Sequence, residues 1–259
     1  MAESVARSST TSGISAEKRP ASKRSGKGDI PLELRAGRPT ERQFGALLGE
    51  LARLAEMSAV ERSLGEQGFR AIAGTDEVGR GCLAGPVVAA AIILSGDPLF
   101  GINDSKLLTH AERTALLIRI QRHAVAWSVG IVEAGTIDRI NILRASKQAM
   151  RMAVTDLRVR PDVLLSDAVR IETLQMPQIP IIEGDRRSVS IAAASVVAKV
   201  YRDLLMESYH RCYPQYDFLN NRGYATESHL RALERYGPTP IHRRSFEGVE
   251  DPMLFEISH

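Results

Sequence analysis

Cysteine is scarce in this chain. Two residues, Cys82 and Cys212, are too few and too far apart for the disulfide framework of a secreted domain, and they match no metal-ligand spacing. That usage fits a reducing, cytoplasmic compartment. Long hydrophobic runs are missing too: the longest, Val87 to Leu94, falls far short of the roughly 20 residues a membrane helix needs, so no membrane attachment is expected. Charge of one sign is not in large excess, since 34 Lys and Arg stand against 31 Asp and Glu. A net +3 permits a polyanionic partner without demanding one. Internal repeats, a Gly-rich phosphate loop, an HExxH zinc motif and a serine-nucleophile elbow are also absent, which removes the reactions built on those motifs. What is left is an ordinary globular composition, 44% hydrophobic and 25% charged, able to bury one substantial core with an appendage.

Residues 1–40 are rich in Ser, Lys, Arg, Gly and Pro, without apolar periodicity or the hydrophobic core of a secretory signal. They read as a disordered basic tail of net charge +4, eight basic residues against four acidic ones. A solubilising extension is the plain reading and a nucleic-acid-binding arm the alternative. Over residues 41–68, Phe44, Leu47, Leu48, Leu51 and Leu54 fall at helical spacing toward Met57 and Val60, an amphipathic helical lead-in. The main body, 69–259, alternates strands and helices.

Within that body the chemistry gathers at strand ends. Asp76 and Glu77 follow the apolar run at Ala71–Ala73 and stand beside Gly79, Arg80 and Gly81, before the long strand of Val87–Leu94. Two adjacent carboxylates offer the hard oxygens that Mg²⁺ or Mn²⁺ takes, and glycines admit the close approach of a ligand. An isolated Asp-Glu pair is more often a solvated turn, so it needs partners. The runs Val163–Asp167 and Ile179–Asp185 each end in an acid, and ligands of open α/β sheets collect outside strand ends. Thr109 and Glu112 form a capping-box pattern opening a helix, and Ser188 or Ser190 caps an alanine-rich one. On the latter, Lys199 and Arg202 read either as phosphate contacts or, with Asp203 at i, i+4 from Lys199, as part of a surface ion-pair array. Tyr224 after Arg222-Gly223 suits a stacking platform or a half-buried structural ring, and His242-Arg243-Arg244-Ser245-Phe246 reads as a basic patch with an aromatic.

These residues together resemble ribonuclease HII, the type 2 ribonuclease H. The resemblance rests on Asp76-Glu-Val-Gly-Arg-Gly81, Leu83-Ala-Gly-Pro-Val-Val88, Asn103-Asp-Ser-Lys106, Ile191-Ala-Ala-Ala-Ser195 with Ala198-Lys199 and Arg202-Asp203, Gly223-Tyr224, and His242-Arg-Arg-Ser-Phe246, from about Ile72 to Val249. It implies a ribonuclease H-like α/β fold, a mixed five-stranded sheet flanked by helices with a small helical C-terminal part. It also implies metal-binding catalytic carboxylates at Asp76, Glu77, Asp167 and Asp185, substrate contacts at Gly79, Arg80, Gly81, Lys106, Lys199 and Arg202, and a substrate-sensing tyrosine at Tyr224. The implied cofactor is Mg²⁺ or Mn²⁺, as two ions, and the implied substrates are RNA–DNA hybrids and DNA containing ribonucleotides. Nothing in the residues argues against a monomer, which is the expected state. Cys82, Leu107, Ala168 and Arg222 depart from the family pattern, which has proline, a second lysine, glycine and lysine there.

The chemistry suits those residue types. Two divalent ions about 3.5–4 Å apart clamp the attacking water and the departing 3′ oxygen of a phosphodiester, and four acids supply the charge to hold them. Reading a ribose requires a group that meets the 2′-OH, and the Gly79-Arg80-Gly81 backbone is suited to that. The rival readings are a catalytically silent hybrid-binding protein and a related nuclease acting on DNA; four acids beside a phosphate repel the substrate unless cations are bound, which weighs against the first.

Overall fold

The computed structural model describes residues 40–103 and 108–249; most of the basic tail, and Lys106 and Leu107, lie outside them. Five strands form one mixed sheet: β1 (Ile72–Val78), β2 (Val87–Leu94), β3 (Ala124–Val132), β4 (Val163–Asp167) and β5 (Gln178–Ile181), in the order β3-β2-β1-β4-β5. The first three run antiparallel, while β1, β4 and β5 run parallel, so the carboxyl ends of β1 and β4 lie side by side.

Central β2 explains why its sequence is one unbroken apolar run. Val88, Ala90 and Ile92 face one layer and Val87, Ala89, Ala91 and Ile93 the other, so both faces of the strand are covered. On the first face lies α7 (Val189–Cys212), on the second α5 (Ile142–Thr155). Burying each isoleucine contributes about 1.5–3 kcal/mol. Small residues set the spacing of the layers. A Cβ on Gly74 of β1 would lie 2.2 Å from the Ser190 carbonyl carbon, and one on Gly130 of β3 would lie 2.0 Å from the Ala149 carbonyl oxygen. The alanines of α7 complete this close approach.

Local signals terminate the elements. The Thr109–Glu112 capping box opens α3 (His110–His123), and the Ser188 hydroxyl accepts from Ile191 N at the start of α7. Asn141 plays the same part between α4 (Ala134–Ile140) and α5. The single lead-in helix expected from residue 41 is two, α1 (Glu41–Met57) and α2 (Ala59–Glu66), hinged at Ser58. Only the last turns of α1 reach the core, through Leu54 and Met57, while Phe44, Leu48 and Leu51 stay exposed. Glu61 of α2 accepts from the Ser188 hydroxyl (2.5 Å) and Ser190 N (3.0 Å), placing an acid at the amino end of α7.

Beyond β5, a four-residue helix, α6 (Gly184–Arg187), precedes α7, and the chain closes with a short 3₁₀ turn (Pro214–Tyr216), α8 (Phe218–Asn221) and α9 (Glu227–Tyr236). This small C-terminal part has its own core of Tyr216, Phe218, Ala232 and Leu233, continuous with Leu83, Ala84 and Met206.

Candidate active site

The acids assemble where β1 and β4 end. Asp76 shares a strand face with Gly74, two residues back, and so points to α7, where it meets Ser195. Buried, and next to the charges of Glu77 and Asp167, its carboxyl is held well above the ordinary carboxylate range. Glu77 is pushed up by burial, with Asp167 adding and Arg80 opposing; Arg80 Nη1 lies 3.1 Å from Glu77 Oε1. Asp167, the last residue of β4, accepts from Gly184 N at 2.8 Å, and buried Asp185 follows on α6. Asp185 is therefore not strand-terminal: β5 stops at Ile181, and Glu183 turns left-handed (φ 54°) to start the helix. Ala168 is left-handed too (φ 52°). It occupies the place of the family glycine and adopts the conformation that glycine adopts without cost.

Among the described residues, no three acidic, histidine or cysteine side chains are already drawn into a closed chelate. Asp76 leans on Ser195 instead, Glu77 on Arg80 and Asp167 on Gly184. The donors fit a hard divalent cation nonetheless. They are all oxygen, and the burial that chiefly raises the Asp76 and Glu77 carboxyls, together with the neighbouring negative charge, is what a bound cation offsets.

Beside the acids, residues 79–86 form a loop held from beneath by two buried arginines. Arg243 donates to the carbonyls of Gly79 (2.6 Å), Arg80 (2.8 Å) and Gly85 (2.9 and 3.0 Å). Arg202 donates to Ala84 O (3.1 Å), Pro86 O (3.1 Å) and Arg222 O (2.9 Å). Backbone contacts stitch the same loop to the C-terminal part on both sides. Leu83 and Ala84 donate to Gly223 O, Gly85 donates to Ile241 O, and Arg243 N donates to Leu83 O. Gly79 is required by space and conformation alike, with φ 92° and a Cβ that would lie 2.2 Å from Arg202 Nε. Around Gly81 there is open room.

Several expectations need correcting. Arg202 is not a phosphate contact: it is fully buried and its guanidinium is committed to loop carbonyls. The basic patch at 242–244 is not a surface patch, because His242 and Arg243 are buried and only Arg244 is exposed. Lys199 forms the ion pair with Asp203 at 2.6 Å, and that buried carboxylate is shared with Arg113 and Arg222, leaving a local excess of positive charge. Lys106 lies outside the described residues. Tyr224, about half exposed, stands next to the Gly223 clamp; burial of its hydroxyl, with Cys82 close by, pushes the phenol up. Sequence reasoning missed Ser195 as an Asp76 partner and Arg243 as the loop's anchor. For Ser195 the signal was its place five residues past Ser190 on the helix that crosses β1 at Gly74.

Fold and site together define a ribonuclease H: a mixed five-stranded sheet with acids gathered at the ends of its central strands. The ribonuclease HII family model matches residues 73–249, and the chain belongs to that family. It is 55% identical over 197 residues to the ribonuclease HII of Enterococcus faecalis, covering 76% of this chain and 77% of that protein. The crystal structure of ribonuclease H2 from Pyrococcus horikoshii superposes with a TM-score of 0.61 at 25% identity, over 70% of this chain and 95% of that one. Bst-RNase HIII in complex with Mn²⁺ shares the fold, with a TM-score of 0.56 at 17% identity over 71% of this chain and 70% of that one. The protein is thus a metal-dependent endoribonuclease that cuts the RNA strand of RNA–DNA hybrids. No helix among the described residues is long and apolar enough to cross a membrane.

Proposed function

We propose that this enzyme also incises duplex DNA at single embedded ribonucleotides, leaving 5′-phosphate and 3′-hydroxyl ends, and that Asp76, Glu77, Asp167 and Asp185 hold two divalent ions, Mg²⁺ or Mn²⁺, for the reaction. The observation that carries the reading is the placement of Asp76, Glu77 and Asp167 at adjacent strand ends, where burial and neighbouring charge raise the first two carboxyls, beside a loop that is open at Gly81. The Mn²⁺ held by the structural relative Bst-RNase HIII supports the choice of ion. When bound, the ions supply an activated water and stabilise the leaving 3′ oxygen. Asp76 is kept in register for them by Ser195, and Asp167 by Gly184 N.

The chain's other residues select and orient. In this reading the backbone of Gly79, Arg80 and Gly81 meets the 2′-OH of the ribose, while the exposed Arg80 guanidinium exchanges Glu77 for a phosphate. Lys199, at the edge of the Asp203 cluster, contributes to the positive field that draws in the strand, as does Lys106. Tyr224 packs on the sugar next to the cut, which favours a ribo-to-deoxyribo junction. Mapping the cut on a DNA duplex carrying one ribonucleotide, with Mg²⁺, with Mn²⁺ and with EDTA, tests all of this together. Metal-dependent incision at the ribonucleotide is expected. Cleavage of all-deoxy duplex, or binding without cutting at any metal concentration, overturns it.

A further inference from the structure

His229 and His242 lie outside the acidic site and are both buried. The rings of Tyr216 and Phe218 enclose them, with centroids 4.9–6.3 Å away. Their four ring nitrogens form one directed chain. Thr239 N donates to His242 Nδ1 at 2.9 Å, which makes that nitrogen an acceptor and puts the ring proton on Nε2. His242 Nε2 stands 3.0 Å from His229 Nε2 and therefore donates to it. The His229 proton is then on Nδ1, 2.8 Å from the carbonyl oxygen of Tyr224. Because a backbone N–H can only donate and a carbonyl can only accept, the two ends of the chain allow a single tautomeric order.

That carbonyl also accepts from Thr226 N at 2.8 Å, and the preceding peptide carbonyl, of Gly223, accepts from Leu83 and Ala84. The peptide planes on both sides of Tyr224 are thus fixed, one by the loop beside the acids and the other by the histidine chain. Packing alone does not ask for two imidazoles here. Apolar rings would fill the same space without burying four polar nitrogens, each of which costs about 1–3 kcal/mol if left without a partner.

We propose that His229 and His242 are positioning residues that set the Tyr224 peptide, and through it the station of the Tyr224 ring against the nucleotide beside the cut. The inference rests on the role of Tyr224 given under Proposed function. Two substitutions divide the chain at different links. His229→Asn keeps an amide N–H near the Nδ1 position, able to donate to the Tyr224 carbonyl, and gives up the reach to His242. His229→Gln keeps the reach to His242 and leaves the Tyr224 carbonyl without that donor. Both remove the ring, and Asn leaves the larger void by one methylene, so a purely structural role costs His229→Asn at least as much as His229→Gln.

The experiment compares cleavage at a single embedded ribonucleotide with cleavage of a continuous hybrid, each variant alone and combined with Tyr224→Ala, below its own unfolding temperature. His229→Gln is expected to lose about tenfold at the single ribonucleotide relative to the hybrid, and His229→Asn to stay within about threefold of the parent. Without the Tyr224 ring the two variants are expected to cut alike, the non-additivity of a shared pathway. Equal losses in both variants, or a His229→Gln loss that persists undiminished beside Tyr224→Ala, overturn the inference. Should both unfold, His242→Gln, which keeps a donor toward His229, against His242→Leu, which does not, gives the same contrast from the other end. A parent that leaves the single ribonucleotide uncut overturns the substrate reading and this inference with it; a parent that cuts while the variants lose equally overturns this inference alone.

Discussion

Replacing Arg243 with methionine keeps most of the side-chain length and removes every hydrogen bond the guanidinium makes. Three buried or half-buried carbonyls, of Gly79, Arg80 and Gly85, lose their donors, and the guanidinium's contact with the Phe246 ring at 5.1 Å goes as well. Each stranded carbonyl costs about 1–3 kcal/mol. Part of that is offset because a buried charge disappears: burial, with Arg202 adding, already pushes the Arg243 guanidinium down to about 10. A net loss of about 3–5 kcal/mol is expected, against a total stability of roughly 5–15 kcal/mol for a domain. Arg243→Lys can satisfy one or two of the carbonyls from a single ammonium and should lose about half as much. Urea unfolding measures the stability, and cleavage rates taken well below the transition measure what the slackened loop does to activity; a drop of tenfold or so is expected for methionine even where the fold persists. If Arg243→Met unfolds at the parent's urea concentration and cuts at the parent's rate, the loop is not held by that guanidinium.

Asp76→Asn and Asp185→Asn should each abolish cleavage while hybrid binding survives, and Asp76→Asn should raise the Tm of the metal-free protein, because it removes a buried, repelled charge; near-normal turnover in either would remove that residue from the site. Ala168→Gly should stabilise by about 1 kcal/mol by relieving a left-handed alanine, read as a Tm increase of about 2–4 °C in a thermal melt. Burial depresses both His229 and His242, the latter to about 4 from an ordinary 6.5, so the unfolded chain binds more protons below neutrality. Their contribution to stability is complete above pH 6.5 and is lost as pH falls from there toward about 4, which denaturant titrations across that window will follow; His242→Leu should flatten the dependence.

What could be read from the sequence was what is local or periodic. The Thr109–Glu112 box needs only three residues of separation, and the unbroken run of β2 announces a strand covered on both faces. Asp76, Glu77 and Asp167 were visible because acids recur at the ends of several apolar runs, where ligands of open α/β sheets collect. Asp185 was visible as an acid but not in its setting, since the left-handed turn at Glu183 carries no mark in the residue type. Arg202 and Arg243 misled for a physical reason. Sequence displays a charge, whereas the loop carbonyls that absorb it are anonymous and lie 116 to 164 residues away, with only Arg222 O nearer, 20 residues from Arg202. The same holds for the histidine chain, whose meaning depends on a 3.0 Å meeting of two rings from different segments. The apolar spacing of α1 promised a buried face and delivered it only at Leu54 and Met57, because helical periodicity says which residues share a side and nothing about what lies opposite.

The contacts that brace the loop beside the acids come from the last part of the chain to be made: Gly79 waits for a guanidinium 164 residues downstream. At about 5–20 residues per second of synthesis, that is an interval of roughly 8–33 s during which β1 and its acids exist without the structure that shapes their substrate groove. The loop beside the acids therefore takes its braced form only when the segment around Arg243 has been made and has docked, which couples the shape of the site to completion of the small C-terminal part.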